Sequence, residues 1–148
     1  GAAGPFARAS GVKMDMRTTG YAAYADLDME IITSEVGDCF ARCEVRINEI
    51  FQAIDLIRQA IAKIPAGEIA TTVKGNPNGE YFMRLEQPRG EAVYFSKANG
   101  TKFLERMRVR TPTFANLPGM LETLKGAEVA DVPLLILTID PCISCTER

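Results

Sequence analysis

The 148-residue sequence contains no histidine, and this absence excludes a wide range of chemistry from the chain acting by itself. Ser-His-Asp and Cys-His nucleophile systems, His-ligated zinc and a histidine proton shuttle all need the imidazole. Net charge is nearly absent too: 17 basic against 19 acidic residues leave a formal charge of -2. That balance supplies no electrostatic drive toward nucleic acid or an anionic membrane, so no nucleic-acid partner is expected. No long hydrophobic run is present. The longest, Val132 to Ile139, contains a proline and falls far short of the ~20 apolar residues that span a bilayer. The opening stretch GAAGPFARASG has no apolar core, so no signal peptide is visible. Cysteine is scarce: Cys39 and Cys43, then Cys142 and Cys145, form two close pairs separated by most of the chain. This is not the scattered set of a secreted disulfide scaffold, and a reducing, cytoplasmic setting is expected. Thiols kept reduced are available as metal ligands or redox groups.

What is present suits an ordinary folded domain, with 47% apolar and 24% charged residues. Residues 1–34 read as irregular, with a short extended segment over 27–31. The clearest element follows. Phe40, Cys43, Ile47, Ile50, Ile54, Ile57, Ile61 and Ile64 recur at alternating spacings of three and four, which keeps one apolar stripe on one helix face. Gly37-Asp38 supplies its N-cap, while Pro65 and Gly67 end it. At the standard rise, a helix over 38–64 is roughly 40 Å long. Val45, Phe51, Ala53, Leu56 and Ala60 widen the stripe, so the helix needs packing partners on more than one side.

After the turn cluster GNPNG come three extended segments, 80–86, 91–96 and 103–109, read as an antiparallel meander with a hairpin at Asn99-Gly100. Residues 113–125 read as a helix capped by Thr113 and closed by Gly126. ADVPLLILTIDP has the composition of a buried strand, but Asp131 as N-cap and a proline in the first turn favour a short buried helix. The fold class is therefore α+β and helix-rich. A long amphipathic helix packs with a small antiparallel meander, and a buried carboxyl-terminal helix ends in a cysteine loop.

That loop reads Asp140-Pro141-Cys142-Ile143-Ser144-Cys145-Thr146-Glu147-Arg148. A Cys-x-x-Cys pair can place two sulfurs on one metal or form a redox disulfide. It follows an apolar element, and Pro141 stiffens its approach. Several readings stand beside one another: idle thiols, a dithiol couple without the thioredoxin-like setting, or a zinc-thiolate site joining Cys39, Cys43, Cys142 and Cys145. Against the last, Cys43 fits the apolar stripe and Cys39 fits a small buried residue beside it.

DPCISCTER resembles the carboxyl-terminal signature of nickel–iron hydrogenase large subunits. Its arginine variant resembles the membrane-associated, energy-converting branch, itself similar to the quinone-site subunit of respiratory complex I. GPFARASGVKMDMR, GDCFARCEVRINEI, QPRGEAVYF and VRTPTFANL extend the resemblance over nearly the whole chain. The terminal cysteine pair, which the complex I subunits lack, places the resemblance on the hydrogenase side.

The resemblance implies roles position by position. Cys142 would be a terminal thiolate on nickel, and Cys145 would bridge nickel to an iron bearing cyanide and carbon monoxide; soft thiolates suit this pair. Arg89 would hang over the metals, bond a cyanide and assist base chemistry, so Arg89 and Cys145 are the expected catalytic groups. Pro112 and Thr113 would line the diatomic-ligand pocket. From the residues alone, Arg89 also suits a surface cation on a turn, and Thr113 a plain helix cap. Glu91 suits either a proton relay or the solvated start of a strand. Asp140 suits an orienter of the cysteine loop through backbone hydrogen bonds.

One departure governs the expectation. The family uses four cysteines, and the amino-terminal Cys-x-x-Cys is missing here, because Cys39 and Cys43 have the wrong spacing. Residues 1–148 are thus expected to form the carboxyl-terminal part of a large subunit, unable to hold the centre alone. Ending at Arg148 matches the processed form of such subunits. The implied activity is reversible H2 oxidation and proton reduction. The implied partners are the amino-terminal half of the large subunit, an iron–sulfur small subunit and membrane ion-pumping subunits, with this chain peripheral on the membrane complex. A non-catalytic structural or quinone-interacting complex I-like homologue and an independent zinc-thiolate module are the alternatives.

Overall fold

The computed structural model describes residues 1–147. Its elements run α1 (Pro5–Arg8), α2 (Cys39–Lys63), β1 (Asn78–Gln87), β2 (Gly90–Asn99), β3 (Leu104–Arg110), α3 (Pro112–Leu124), α4 (Val132–Ile139) and α5 (Ile143–Thr146), with 3-10 turns at Met16–Thr19 and Tyr24–Asp26. The α+β class, the long helix and the antiparallel meander are all as the sequence indicates.

Helix α2 starts where expected. The Asp38 carboxylate accepts from Ala41 N at 2.7 Å, satisfying one of the unpaired first-turn donors. The buried face is not the isoleucine stripe. Ala41, Arg42, Val45 and Leu56 are buried, whereas Ile47, Ile50, Ile54, Ile57 and Ile61 are exposed. The small residues win locally because they admit close approach: Ala9, Ala41 and Val45 form the core cluster, with Ile32 packed against it.

The sheet has the order β1-β2-β3, antiparallel throughout. Gln87 pairs with Gly90, so Pro88 and Arg89 form a two-residue turn. Strand β2 runs to Asn99, and a register shift at Lys97/Ala98 precedes its partner β3. No strand forms at 27–31. That segment lies along α2, with Gln59 accepting from Asp28 N at 2.8 Å and Gln52 donating to Glu30 O at 2.7 Å. Residues 1–34 are also more ordered than expected, through α1 and the two 3-10 turns.

Helix α3 contains Pro118 and begins one step earlier than predicted, with Thr111 rather than Thr113 at the N-cap position. Helix α4 forms as expected, but Asp131 makes no capping bond, and burial is concentrated at Thr138 and Ile139 in its last turn.

Candidate metal centre

The cysteine loop begins where α4 ends. Asp140 takes a left-handed backbone, φ 57 and ψ 58, which turns the chain sharply toward Pro141. Aspartate is among the few residues besides glycine that visit this region at modest cost. Cys142 is extended, and its carbonyl accepts from Cys145 N and Thr146 N, both at 3.1 Å, which winds Ile143–Thr146 into one helical turn.

The loop is tied to α3 at two points. Thr113 Oγ1 accepts from Cys142 N at 3.2 Å, and Thr111 Oγ1 donates to the Cys145 carbonyl. Thr113 is therefore not a helix cap; its hydroxyl faces the cysteine backbone.

The two sulfurs have divergent acidities. Cys142 Sγ lies 3.1 Å from Ser144 Oγ. That hydrogen bond, helped by donation from Cys145 and the charge of Arg89, lowers the Cys142 thiol to about 7. Burial and the neighbouring Cys142 sulfur raise the Cys145 thiol, with Arg89 and Thr113 acting in the opposite direction. One sulfur is thus readied as thiolate while the other holds its proton until its neighbour's charge is taken up.

Arginines surround the approach to the loop. Arg89 Nε donates to Asp140 O at 2.8 Å and stands 3.2 Å from Asp140 Oδ2. Arg46 Nη1 is 3.6 Å from the same carboxylate oxygen. Arg42 is buried, donates to Thr138 Oγ1 at 2.9 Å and to Cys39 Sγ at 3.0 Å, and lies over the Phe6 ring. The Asp140 carboxylate faces Arg89 and Arg46 and accepts no loop N–H: Pro141 has none, and Cys142 N is bonded to Thr113.

The turn carrying Arg89 is fixed from behind. A Cβ on Gly4 would sit 2.4 Å from Gly90 Cα, so the two backbones cross at a separation only glycine permits. Buried Asn116 locks the crossing: its Oδ1 accepts from Ala3 N at 2.8 Å, and its Nδ2 donates to Ala3 O and Arg89 O at 3.1 and 3.4 Å.

The structure thus brings Arg89, Thr113, Cys142 and Cys145 to one place, with Pro112 in the first turn of α3 beside Thr113. Arg89 is neither a free surface cation nor a plain turn residue. Glu91 is buried between Arg84 and Arg110, which hold its carboxyl below the usual range against the opposing effect of burial. It joins the strands instead of solvating a strand end.

Cys39 and Cys43 are half-buried, and Cys39 is engaged with Arg42 and Thr138. Among the described residues, no three His, Cys, Asp or Glu side chains converge to hold a metal, so the four cysteines do not assemble into a zinc site. A pair of adjacent soft sulfurs is what remains. As a donor set it fits two of the four thiolates of a nickel–iron centre and is insufficient for a complete one. Arg148, the last residue of the signature, lies outside the described residues.

Sequence reasoning missed Arg46, Arg42 and Asn116. Arg46 shares a helix turn with Arg42, a spacing that puts both on one face, yet nothing local shows that α4 lies opposite.

Residues 1–76 and 68–148 match the family model of the respiratory-chain NADH dehydrogenase 49 Kd subunit. The chain is 43% identical to a carbon monoxide-induced hydrogenase of Rhodospirillum rubrum, over all of this chain and 42% of the relative. It is 38% identical to the membrane-bound hydrogenase subunit alpha of Pyrococcus furiosus, over all of this chain and 39% of that protein. An F(420)H(2) dehydrogenase component of Methanosarcina mazei is 37% identical, again over the whole chain and 42% of the relative. The chain therefore spans about two fifths of the length of these relatives. Among solved structures, a chain of the membrane-bound sulfane sulfur reductase, an archaeal respiratory membrane complex, superposes with a TM-score of 0.90 at 31% identity, covering all of this chain and 43% of that one. The match extends from the Gly4–Gly90 crossing to the cysteine loop, and on that ground the chain belongs to the family of the respiratory-chain NADH dehydrogenase 49 Kd subunit.

Proposed function

We propose that this chain is the carboxyl-terminal part of the large subunit of an energy-converting nickel–iron hydrogenase and supplies two of the four thiolates of its metal centre. The observation that carries the reading is the sulfur pair. Cys142 and Cys145 share one helical turn, closed by Cys145 N on the Cys142 carbonyl at 3.1 Å, and the Cys142 thiol is lowered to about 7. The Cys142 sulfur gives up its proton readily to a soft metal near neutral pH.

Cys142 and Cys145 would hold the metals. A nickel–iron pair, when bound, supplies Lewis acidity toward H2 and a place for its electrons. The chain's own residues do the rest. Arg89 keeps positive charge beside the sulfurs while its Nε is fixed on the Asp140 carbonyl. Thr113 fixes the Cys142 amide and presents its hydroxyl to the same space. A thiolate of this pair or Arg89 would accept the proton.

The remaining cysteines would come from the amino-terminal half of the large subunit, and the exposed isoleucine face of α2 gives that half an apolar surface to cover. Electrons would leave to an iron–sulfur small subunit. Among the described residues no helix is long and apolar enough to cross a membrane, so attachment to membrane ion-pumping subunits would be through protein contacts.

The test is Cys142→Ser and Cys145→Ser in the complete enzyme. H2 uptake should vanish in each while the fold persists, and full activity in either variant would rule out the ligand role. A quinone-interacting, non-catalytic role is the second reading, favoured by the family model that spans the chain. Absence of nickel and iron from an anaerobically purified complex would select it. The chain by itself should self-associate through the uncovered α2 face; sedimentation as a compact monomer would contradict that.

A further inference from the structure

The last carbonyls of a helix have no intrahelical donor. At the end of α4, three successive ones are taken by guanidinium groups. Thr138 O accepts from Arg46 Nε at 3.3 Å, Ile139 O from Arg46 Nη2 at 3.1 Å, and Asp140 O from Arg89 Nε at 2.8 Å. The third nitrogen of Arg46, Nη1, points to the Asp140 carboxylate at 3.6 Å. One side chain therefore grips three consecutive residues, and only the planar fork of arginine has donors spread widely enough to do so. A cation at this end of the helix also opposes the negative pole of its dipole.

The grip arrives from far away in sequence. Arg46 lies in the first third of α2 and lines a cleft of about 410 Å³ shared with Arg8, Glu49 and Glu86. It is mostly buried, with 22% of its side chain exposed, so its reach is confined by packing.

We propose that Arg46 is a positioning residue for the Cys142–Cys145 sulfur pair. It holds the carbonyls of Thr138 and Ile139 and the carboxylate of Asp140 in one orientation. This sets the left-handed turn from which Pro141 delivers the cysteines. Arg89 secures the turn from the metal side and Arg46 from the helix side. The functional consequence rests on the nickel–iron reading; the geometric claim does not.

The test uses the complete complex carrying Arg46→Lys or Arg46→Ala, with Arg58→Lys, exposed on the same helix, as control. Phenylarsine oxide captures two neighbouring thiols by forming two As–S bonds and releasing its oxygen as water with both thiol protons. Its capture by metal-free complex is followed by mass spectrometry on the peptide bearing Cys142 and Cys145. H2 uptake by loaded complex and thermal melting are measured alongside. Both Arg46 variants should lose about tenfold or more in capture and in uptake, the scale expected when a group supporting a metal ligand is removed. The melting of Arg46→Lys should match the control. Capture and uptake equal to the control in Arg46→Lys would overturn the proposal, and that variant decides should Arg46→Ala fail to fold. If the wild-type complex contains no nickel, the metal reading fails, while a selective loss of arsenical capture would still support the positioning role.

Discussion

Two clusters of charge lie on either side of Arg46, and they are built on opposite plans. Around Arg8, whose side chain is 1% exposed, Asp15, Glu49 and Glu86 stand at 3.3, 2.7 and 2.8 Å, and Arg17 adds a second cation on Asp15 at 2.6 Å. Carboxylates outnumber guanidiniums there, and burial holds Glu86 above its ordinary range. At the cysteine loop two guanidiniums face the single carboxylate of Asp140, which is 39% exposed. The first cluster pairs its charges internally, along one wall of the cleft that Arg46 also lines. The second has cationic surplus and open sulfurs, so it accepts further negative charge, including that of thiolates.

Removing one member of each cluster sharpens the contrast. Arg8→Ala leaves Glu49 and Glu86 without their paired cation and Asp15 with Arg17 alone, and should cost about 3–5 kcal/mol. Arg89→Ala breaks a partly solvated pair and should cost under ~1 kcal/mol. Urea denaturation of the two variants reads both values, and equal losses would erase the distinction. Gly4→Ala comes next: the added Cβ meets the Gly90 backbone in a positive-φ setting, and about 1–3 kcal/mol or more should be lost. The same substitution should displace Arg89 and, on the hydrogenase reading proposed above, slow H2 uptake in the complete complex.

Acid should attack the carboxylate-rich side. Asp15 is lowered because Arg17 and Arg8 outweigh its burial, as Arg84 and Arg110 do for Glu91. A depressed carboxyl contributes stability above its unfolded value and loses it as pH falls through the folded one. Melting temperature should therefore fall as pH drops below about 4, where unfolded carboxyls titrate. Glu86, raised by burial, acts in the opposite sense, so Glu86→Gln should steepen the acid dependence whereas Asp15→Asn should soften it. On the open side the readout is reactivity. Alkylation of Cys142 in metal-free protein should reach half its maximal rate near pH 7, and Ser144→Ala should move that midpoint upward. The smallest effect belongs to Lys125→Ala, an exposed pair with Glu122, expected within about 0.5 kcal/mol of wild type.

Much of the architecture was legible because it is local. The period of the isoleucines, Asp38 before Cys39, and Asn99-Gly100 between apolar runs each declare themselves within a few residues. The cysteine pair was legible for the same reason. What escaped depends on distant partners. The face of α2 that packs is chosen by Ala9 and Ile32, and small Ala41 and Val45 outcompete larger isoleucines for that contact. Thr113 looks like a cap until Cys142 N is placed 29 residues away in sequence. Arg46 looks like one more helical cation until α4 lies 92 residues downstream against it. Periodicity records which residues are apolar, while the identity of the facing surface comes only with the tertiary fold.

The left-handed turn at Asp140 narrows the residues that can occupy that position. Glycine and asparagine suit its backbone equally well, yet neither offers two guanidiniums an anion. Glutamate has the charge but not the short side chain that tolerates this conformation. Aspartate alone meets both demands, so Asp140→Asn separates them: it leaves the bend intact and removes only its electrical anchor.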